Sequence, residues 1–587
     1  MDIPRNEYPR PTLVRENWIN LNGAWQFEID HERVGIEKRF FERTELTGEI
    51  TVPFCPESKL SGVEHTDFMS CVWYQKIFSV DPNGKRVILH FGAVDYLARV
   101  YVNGRPAGTH QGGYTSFSMD ITDLVQKGEN RLTVCAEDDV RSGKQPAGKQ
   151  SGQLESYGAF YTRTTGIWQT VWLELVEPCY VQKLHLTTET NLPAVNLSVT
   201  LSDMPEHTDL VAEAFWKGIC VGTERVPVSA KQLNFGLKLS EKHLWEPGKG
   251  GLYDLKIRLE SDGIPGDRVT SYFGLRSVFL QGRALKLNGK TVFGRWVLDQ
   301  GFYPDGIYTA PSDEALKQDI LSAMELGFNG ARLHEKIFEE RFLYWADQLG
   351  YLVWEEHANW GLDLTETGRV DAFLQEWMEA VDRDYNHPCI IGWCPLNETG
   401  DFHGKRQDDS ILRTIYRATK ALDPTRPVID TSGHFHVETD VFDVHDYEQD
   451  PALFADHYTR LLDGILEDTT YRCHWMRDRQ HYDGILPVFV SEYGGTWWAK
   501  DMNEWSHRDG WGYGEAPKTE EEFIARYRGL TDALLDHPQM MGFCYTQLYD
   551  VEQEQNGLMT YDRRFKFDPA IIRQINSRQA AIEREDG

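Results

Sequence analysis

Two glutamates stand where apolar runs stop. "CIIGWCPL" ends in Asn397-Glu398, and "VFV" gives way to Ser491-Glu492 in "VFVSEYGG". A buried strand that ends in a carboxylate presents it at the carboxyl end, where α/β proteins bind ligands. Two carboxylates converging on one cavity suit acid–base cleavage of a glycosidic bond. A separation of about 5–5.5 Å goes with retained anomeric configuration and about 6.5–9.5 Å with inversion. One carboxyl must be protonated to donate to the leaving oxygen and the other ionised to attack the anomeric carbon, so their surroundings must hold their pKa values apart. Arg332 ends "NGAR" and Tyr447 ends "VFDVHDY". A guanidinium and a phenol beside Glu492 would keep it ionised and oriented. Asn397 could hydrogen-bond the sugar hydroxyl next to the anomeric carbon.

These residues need a frame that brings strand ends together, and the second half of the chain supplies one. From about residue 277, "TVFGRWVL", "FNGARLH", "YLVWEE", "IIGWCPLNE", "PVIDTSG", "VFDVHDY", "PVFVSEYGG" and "MGFCYTQLYD" read as short buried strands. Most are followed by a helical pattern, such as "DEALKQDILSAMELG" after the first; "PVIDTSG" leaves little room for one before the next strand. Eight such runs over roughly 300 residues predict a (β/α)8 barrel over 277–587. On this count Glu398 ends strand four and Glu492 strand seven.

The first half reads differently. "AWQFEID", "VWYQKIFSV", "RVILHFG", "LARVYVNG" and "IWQTVWLELVE" are β-branched and aromatic, with Gly, Asn, Asp and Pro turns between them, and predict a β-sandwich over 1–178. A second group, from "VQKLHLTTET" to "RVTSYFGLRSV", predicts an immunoglobulin-sized sandwich over 179–276. A chain of 587 residues has room for these domains, and its formal charge of −30 sets aside nucleic acid and anionic membrane as partners. The nine cysteines form no CxxC or zinc spacing, and the start shows no apolar signal core, so a cytoplasmic location is expected.

The motifs together resemble glycoside hydrolase family 2, the β-galactosidase, β-glucuronidase and β-mannosidase family, over essentially the whole length. "VWYQKIF", "RVILHFGAVDYLARVYVNG" and "GIWQTVWLE" are similar to its jelly-roll sugar-binding domain. "LWEPGKGGLYDL" and "YFGLRSV" resemble the end of its immunoglobulin-like domain, and "LNGKTVFGR", "ARLH", "WCPLNE" and "SEYGG" its barrel. The resemblance implies Glu398 as general acid/base, Glu492 as nucleophile, a covalent glycosyl-enzyme intermediate and no cofactor. Members often form dimers or tetramers, so a homo-oligomer is among the expectations.

Departures from the family pattern bear on the substrate. The Arg-His-Glu usual after strand one is replaced by Leu298-Asp299-Gln300-Gly301-Phe302-Tyr303, and the run after strand two reads Arg332-Leu333-His334-Glu335-Lys336-Ile337. His334 or His445 is then the candidate to replace the lost sugar-contacting His, and Asp299 a candidate to accept from two hydroxyls. Where glucuronidases carry an Asn-x-Lys pair, this chain has Glu554 and Asn556, with Arg564 and Lys566 nearby. Glu356-His357 stands where magnesium-dependent relatives carry a Glu-x-His pair, and no metal site is expected. Among Trp360, Trp497, Trp498, Tyr545 and Tyr549, two or three are expected to face sugar, Trp498 included. The expectation is a retaining exo-hydrolase of a terminal neutral sugar, with a β-galactoside first. An α-L-arabinofuranoside or β-galactofuranoside comes next, a uronide after them. A carbohydrate-binding protein without turnover is the rival of another class.

Overall fold

A computed structural model describes residues 3–262, 264–402, 404–466, 479, 482–499 and 510–586. The first sandwich pairs a four-stranded sheet, in the order Trp18–Asn20, Val171–Val176, Arg86–Phe91, Phe117–Asp120, with a six-stranded one. The latter runs Gly48–Val52, Gly23–Ile29, Cys71–Val80, Gly128–Glu137, Leu97–Val102, Arg105–Gln111. Alternation explains its core: in Leu97–Val102, Ala98, Val100 and Val102 point inward while their neighbours are half-buried. They meet Val87, Leu89, Leu132 and Val134 between the sheets.

The second sandwich stacks three strands (Val181–Glu189, Ala194–Leu201, Gln232–Lys238) on four (Ile219–Pro227, Thr208–Trp216, Leu252–Ser261, Ile264–Gly274). Val195, Leu197, Val199 and Leu201 alternate into its core against Leu255, Ile257 and Leu259.

The barrel follows. Seven parallel strands lie in the order Ile390–Cys394, Leu352–Glu356, Gly330–Leu333, Gly294–Asp299, Met540–Thr546, Val488–Gly494, Phe442–Asp446. The expected fifth strand joins strand four through parallel bridges at Trp393–Val428 and Asn397–Ser432 rather than a full ladder, and no helix lies between it and strand six. Helices cover the outside, for example Asp313–Glu325, whose N-cap Ser312 accepts from Ala315 N. Covered on both faces, the strands are apolar nearly throughout. At the closed end Trp296, Trp354 and Phe489 fill the interior, and a Cβ on Gly392 would lie 2.1 Å from the Trp354 ring. Glycine is what lets that large ring fit.

The jelly roll reaches over the open end. Ala147 N donates to Trp360 O at 2.7 Å, Thr162 N to Glu552 Oε1 at 3.1 Å and Gln553 Nε2 to Gly158 O at 2.7 Å. The rim at the carboxyl ends of the strands is therefore roofed by a second domain. Among the described residues no helix is long and apolar enough to cross a membrane.

Candidate active site

Arg332, at the end of strand two, is 1 % exposed, and its guanidinium is fully engaged. Nη1 donates to Glu492 Oε1 at 2.8 Å and to Ser491 O at 3.0 Å, Nη2 to Asn397 Oδ1 at 2.7 Å, and Nε to Glu356. Burial works against this cation, but Glu356 and Glu492 outweigh it and hold its pKa well above the usual value. Tyr447 OH donates to Glu492 Oε2 at 2.5 Å, and Tyr513 stacks on the Tyr447 ring with centroids 3.5 Å apart. Both Glu492 oxygens thus receive a donor, which fixes the orientation of the carboxylate.

Asn397 is locked beside it. Its N–H donates to Asn359 Oδ1 at 2.6 Å, and its carbonyl accepts from Asn359 Nδ2 at 3.0 Å and Trp360 Nε1 at 3.2 Å. With its amide oxygen held by Arg332, the Nδ2 donor has no protein partner among the described residues. Glu398 follows in a left-handed conformation (φ 43°), with its N–H on Ser432 O at 2.8 Å. A non-glycine residue held there is strained, as functional positions often are.

His445 joins the two glutamates. Nδ1 lies 2.7 Å from Glu398 Oε1 and 3.3 Å from Glu492 Oε2, and Nε2 is 3.0 Å from Ser432 Oγ. A Cβ on Gly433, at φ 67°, would meet this ring at 2.7 Å, so the sequence Ser432-Gly433 makes its berth. Burial disfavours the imidazolium, but Glu492 and Glu398 together raise its pKa above the usual value. In return, although burial pushes the Glu398 carboxyl up, the hydrogen bond and charge of His445 bring it well below the ordinary range.

Asp299 sits at the end of strand one with its Oδ1 accepting from Gly301 N at 3.0 Å and from Tyr549 OH. Burial, helped by Asp319, pushes its pKa up to about 6. His334 lies behind Arg332, with Nδ1 2.9 Å from Glu356 Oε2. Trp498 departs from expectation. Its ring packs against Phe523 and Phe567, with centroids 5.9 and 5.8 Å away, as part of the core. The chain turns at Gly494-Gly495, both at positive φ, and swings that ring behind the rim. Tyr545 likewise packs on Tyr493 and Tyr527.

Glu398, His445 and Glu492 bring one ligand atom each within 4.8 Å of one another, a grouping able to hold a cation. The donors from Arg332 and Tyr447 already fill Glu492, which suits a carboxylate pair better than a metal centre. Glu356 is taken by Arg332 and His334, and His357 lies among the rings of Tyr114, Phe373 and Trp377.

Sequence reasoning missed three groups. Tyr161, from the jelly roll, donates its OH to Glu554 and accepts from Gln300 Nε2 at 2.9 Å. Glu335 is buried at φ 50° with Oε2 on Trp360 N. Lys149, in "PAGKQ", lies with its ammonium 3.8 Å from the centre of the Trp360 ring. The signal available for Lys149 was only a Gly-Lys step in a polar loop of another domain.

Residues 19–173 match the model of the glycosyl hydrolases family 2 sugar binding domain, 179–276 that of glycosyl hydrolases family 2, and 309–495 that of its TIM barrel domain. The β-galactosidase of Thermoanaerobacter pseudethanolicus is 26% identical over 430 residues, 70% of this chain and 53% of that protein. That of Thermoanaerobacterium thermosulfurigenes is 27% identical over 505 residues, 81% and 64%. The chain thus spans between half and two thirds of these relatives. The β-glucuronidase of Felis catus is 26% identical over 535 residues, 83% of this chain and 79% of that protein. Among solved structures, Bifidobacterium dentium β-glucuronidase complexed with coumarin-3-O-glucuronide superposes with a TM-score of 0.80 at 20% identity, covering 97% of this chain and 98% of that one. Ruminococcus gnavus β-glucuronidase with D-glucuronic acid gives 0.78 at 18%, covering 98% and 100%. Such identities speak for the fold alone. With its sandwich, central and barrel segments each matching in order, the chain belongs to glycoside hydrolase family 2.

Proposed function

We propose that the protein is a retaining, exo-acting glycoside hydrolase that releases a terminal neutral sugar. The observation that carries this reading is the approach of one oxygen each of Glu398 and Glu492 to within 4.8 Å, with Arg332 and Tyr447 donating to Glu492 and not to Glu398. Two carboxyl groups with oxygens this close can act on one glycosidic bond as nucleophile and acid/base, the pairing of a retaining enzyme.

In the first step an oxygen of Glu492 attacks the anomeric carbon as the bond to the leaving oxygen breaks, and Glu398 delivers a proton to that oxygen. In the second, Glu398 takes a proton from water as the water oxygen attacks the same carbon and Glu492 leaves. Glu398 is ionised in the free site because His445 holds the proton. Their 2.7 Å contact gives the route by which it reaches Glu398. Asn397 Nδ2 is the donor available to the neighbouring hydroxyl. Asp299 serves by holding the turn after strand one through Gly301 and Tyr549.

A neutral sugar is favoured by Glu398 and Glu492 at the rim and by Glu554 as it ionises, while burial pushes the Glu335 carboxyl up toward its neutral form. The cations that the sequence offered to a uronate are engaged, Lys566 with Asp550 Oδ1 at 2.6 Å and Arg564 with Asp562 Oδ2 at 2.9 Å. A β-galactoside stands first, as two of the similar sequences are β-galactosidases. The β-glucuronidases among the similar sequences favour a second reading, a uronide.

A panel of nitrophenyl β-galactoside, β-galactofuranoside, α-L-arabinofuranoside, β-glucoside and β-glucuronide tests this, with mass spectrometry of enzyme trapped by an activated 2-deoxy-2-fluoro glycoside. Turnover of a neutral member and a label on Glu492 are expected. A label elsewhere, or no turnover of any member, would overturn the reading.

A further inference from the structure

The jelly roll does more than roof the barrel, and Lys149 shows how. Its backbone is held from several sides. Ala147 N and Gly148 N both donate to Trp360 O, at 2.7 and 3.0 Å, and Tyr161 N donates to Lys149 O at 2.7 Å. Gln150 Nε2 then ties the loop to Asp95 Oδ2 at 2.8 Å, while its Oε1 accepts from Thr164 N. Gly148, at φ 57°, lets this loop press onto the barrel, since a Cβ there would lie 2.5 Å from Glu335 O. The result is a backbone fixed at the point from which the lysine side chain leaves.

The ammonium itself is unmatched. Lys149 is 6 % exposed, yet among the described residues no carboxylate stands within ion-pair distance of Nζ and no protein acceptor takes a hydrogen bond from it. It lies 3.8 Å from the centre of the Trp360 ring, whose Nε1 is bound to the carbonyl of Asn397, the residue before Glu398. The lysine charge acts on Glu398, Glu335, His334 and Glu554, which come from the loops after strands two, four and eight. It therefore lies over the mouth of the barrel, near acidic side chains that do not pair with it. The ammonium is not sealed off, so acceptors on a ligand can supply the hydrogen bonds that the protein does not.

We propose that Lys149 is a substrate-binding residue, its ammonium donating to hydroxyl oxygens of the terminal sugar, so that the jelly roll supplies part of the specificity of the barrel's site. This rests on the reading of the site as a glycosidase. Hydroxyls fit better than a carboxylate because they also donate, and Glu398, Glu335 and Glu554 around the lysine are acceptors. A uronate would bring its charge toward the Glu398 carboxylate, which His445 holds well below the ordinary range.

The test compares Lys149→Met, which keeps the length of the side chain, with wild type on the best neutral nitrophenyl glycoside and on its monodeoxy analogues. A loss of roughly 10- to 100-fold in kcat/KM is expected on the parent glycoside, as for a charge-assisted hydrogen bond. On the analogue that lacks the contacted hydroxyl the same substitution should change little. Lys149→Arg should recover part of the loss. A purely structural role would lower every analogue by one factor, and that result would overturn the proposal. So would a loss confined to the uronide. Titration calorimetry with the released sugar and with iminosugars separates this from the reading on which it rests. Wild type that binds them without turnover, while Lys149→Met binds more weakly, sinks catalysis and keeps the lysine. Equal binding by both proteins sinks the lysine.

Discussion

His445 holds its Nδ1 2.7 Å from Oε1 of Glu398, close enough for one proton to serve both residues. The proton rests on the imidazole, since Glu492 and Glu398 raise His445 against its burial while His445 depresses Glu398. The alkaline limb of kcat/KM then reports loss of that shared proton, as an apparent value of the coupled group. In His445→Gln the proton has only a carboxyl to rest on, and an ordinary Glu titrates about two units below an ordinary His. The alkaline limb should therefore move to lower pH, measured on an alkyl glycoside whose leaving group needs protonation. A limb that stays in place would separate His445 from the proton.

The two glutamates should fail in different ways. Glu492→Gln should form no covalent adduct with an activated fluoroglycoside. Glu398→Ala should still form one when the leaving group needs no proton, and azide should speed the second step by replacing water. Intact-mass spectra and product analysis read both. Hydrolysis of alkyl glycosides by Glu398→Ala at the wild-type rate would remove Glu398 from its role.

Arg332 is the point on which four groups depend, so its shape matters more than its charge. An ammonium in its place cannot reach Glu356, Glu492, Ser491 O and Asn397 Oδ1 together. Arg332→Lys should lower kcat by roughly 10²–10³-fold, the scale for losing a fixed donor at a reacting group. It should also destabilise the fold by about 1–3 kcal/mol, because Glu356 is left buried and underbonded. Kinetics and chemical denaturation measure these effects. Unchanged kcat with normal stability would show that Glu492 is oriented by other means.

What the sequence made legible follows from where the information lies. Apolar runs mark barrel strands because both faces are buried, and a polar residue at such an end is positioned by the strand itself. That is why Glu398, Glu492, Arg332 and Tyr447 could be read and why they meet. Trp498 comes six residues after Glu492, beyond two glycines at positive φ, where strand periodicity no longer says which way a ring points. Lys149 belongs to another domain, and its approach to Glu398 depends on how two folded units dock, which no local pattern records. Strand five keeps two bridges to strand four, and Val428 N donates to the Asp440 carboxylate rather than to a strand. Such pairings appear only in three dimensions.

The last prediction concerns substrate charge. Glu554 Oε2 accepts from Tyr161 OH and Oε1 from Asn556 Nδ2 at 3.0 Å, and Asn556 Oδ1 accepts from Gln547 Nε2 at 2.8 Å. Asn556 is thus interior to a network, and Glu554 is its charged member. Burial raises the Glu554 pKa while Lys149 lowers it, so the fraction ionised rises as pH rises. A uronate brought near an ionised carboxylate meets about 4 kcal/mol of repulsion at 4 Å and an effective dielectric of 20. The neutral glycoside should therefore exceed its uronide counterpart by orders of magnitude in kcat/KM. The gap should widen with pH as Glu554 ionises. Glu554→Gln keeps an acceptor for Tyr161 and removes the charge, so it should narrow the gap by roughly tenfold for each 1.4 kcal/mol of repulsion relieved and flatten its pH dependence. The measurement is the ratio of kcat/KM for nitrophenyl β-galactoside and β-galacturonide across pH in both proteins. A wild type that favours the uronide, or a ratio that Glu554→Gln leaves untouched, would show that this carboxylate does not set the charge the site accepts.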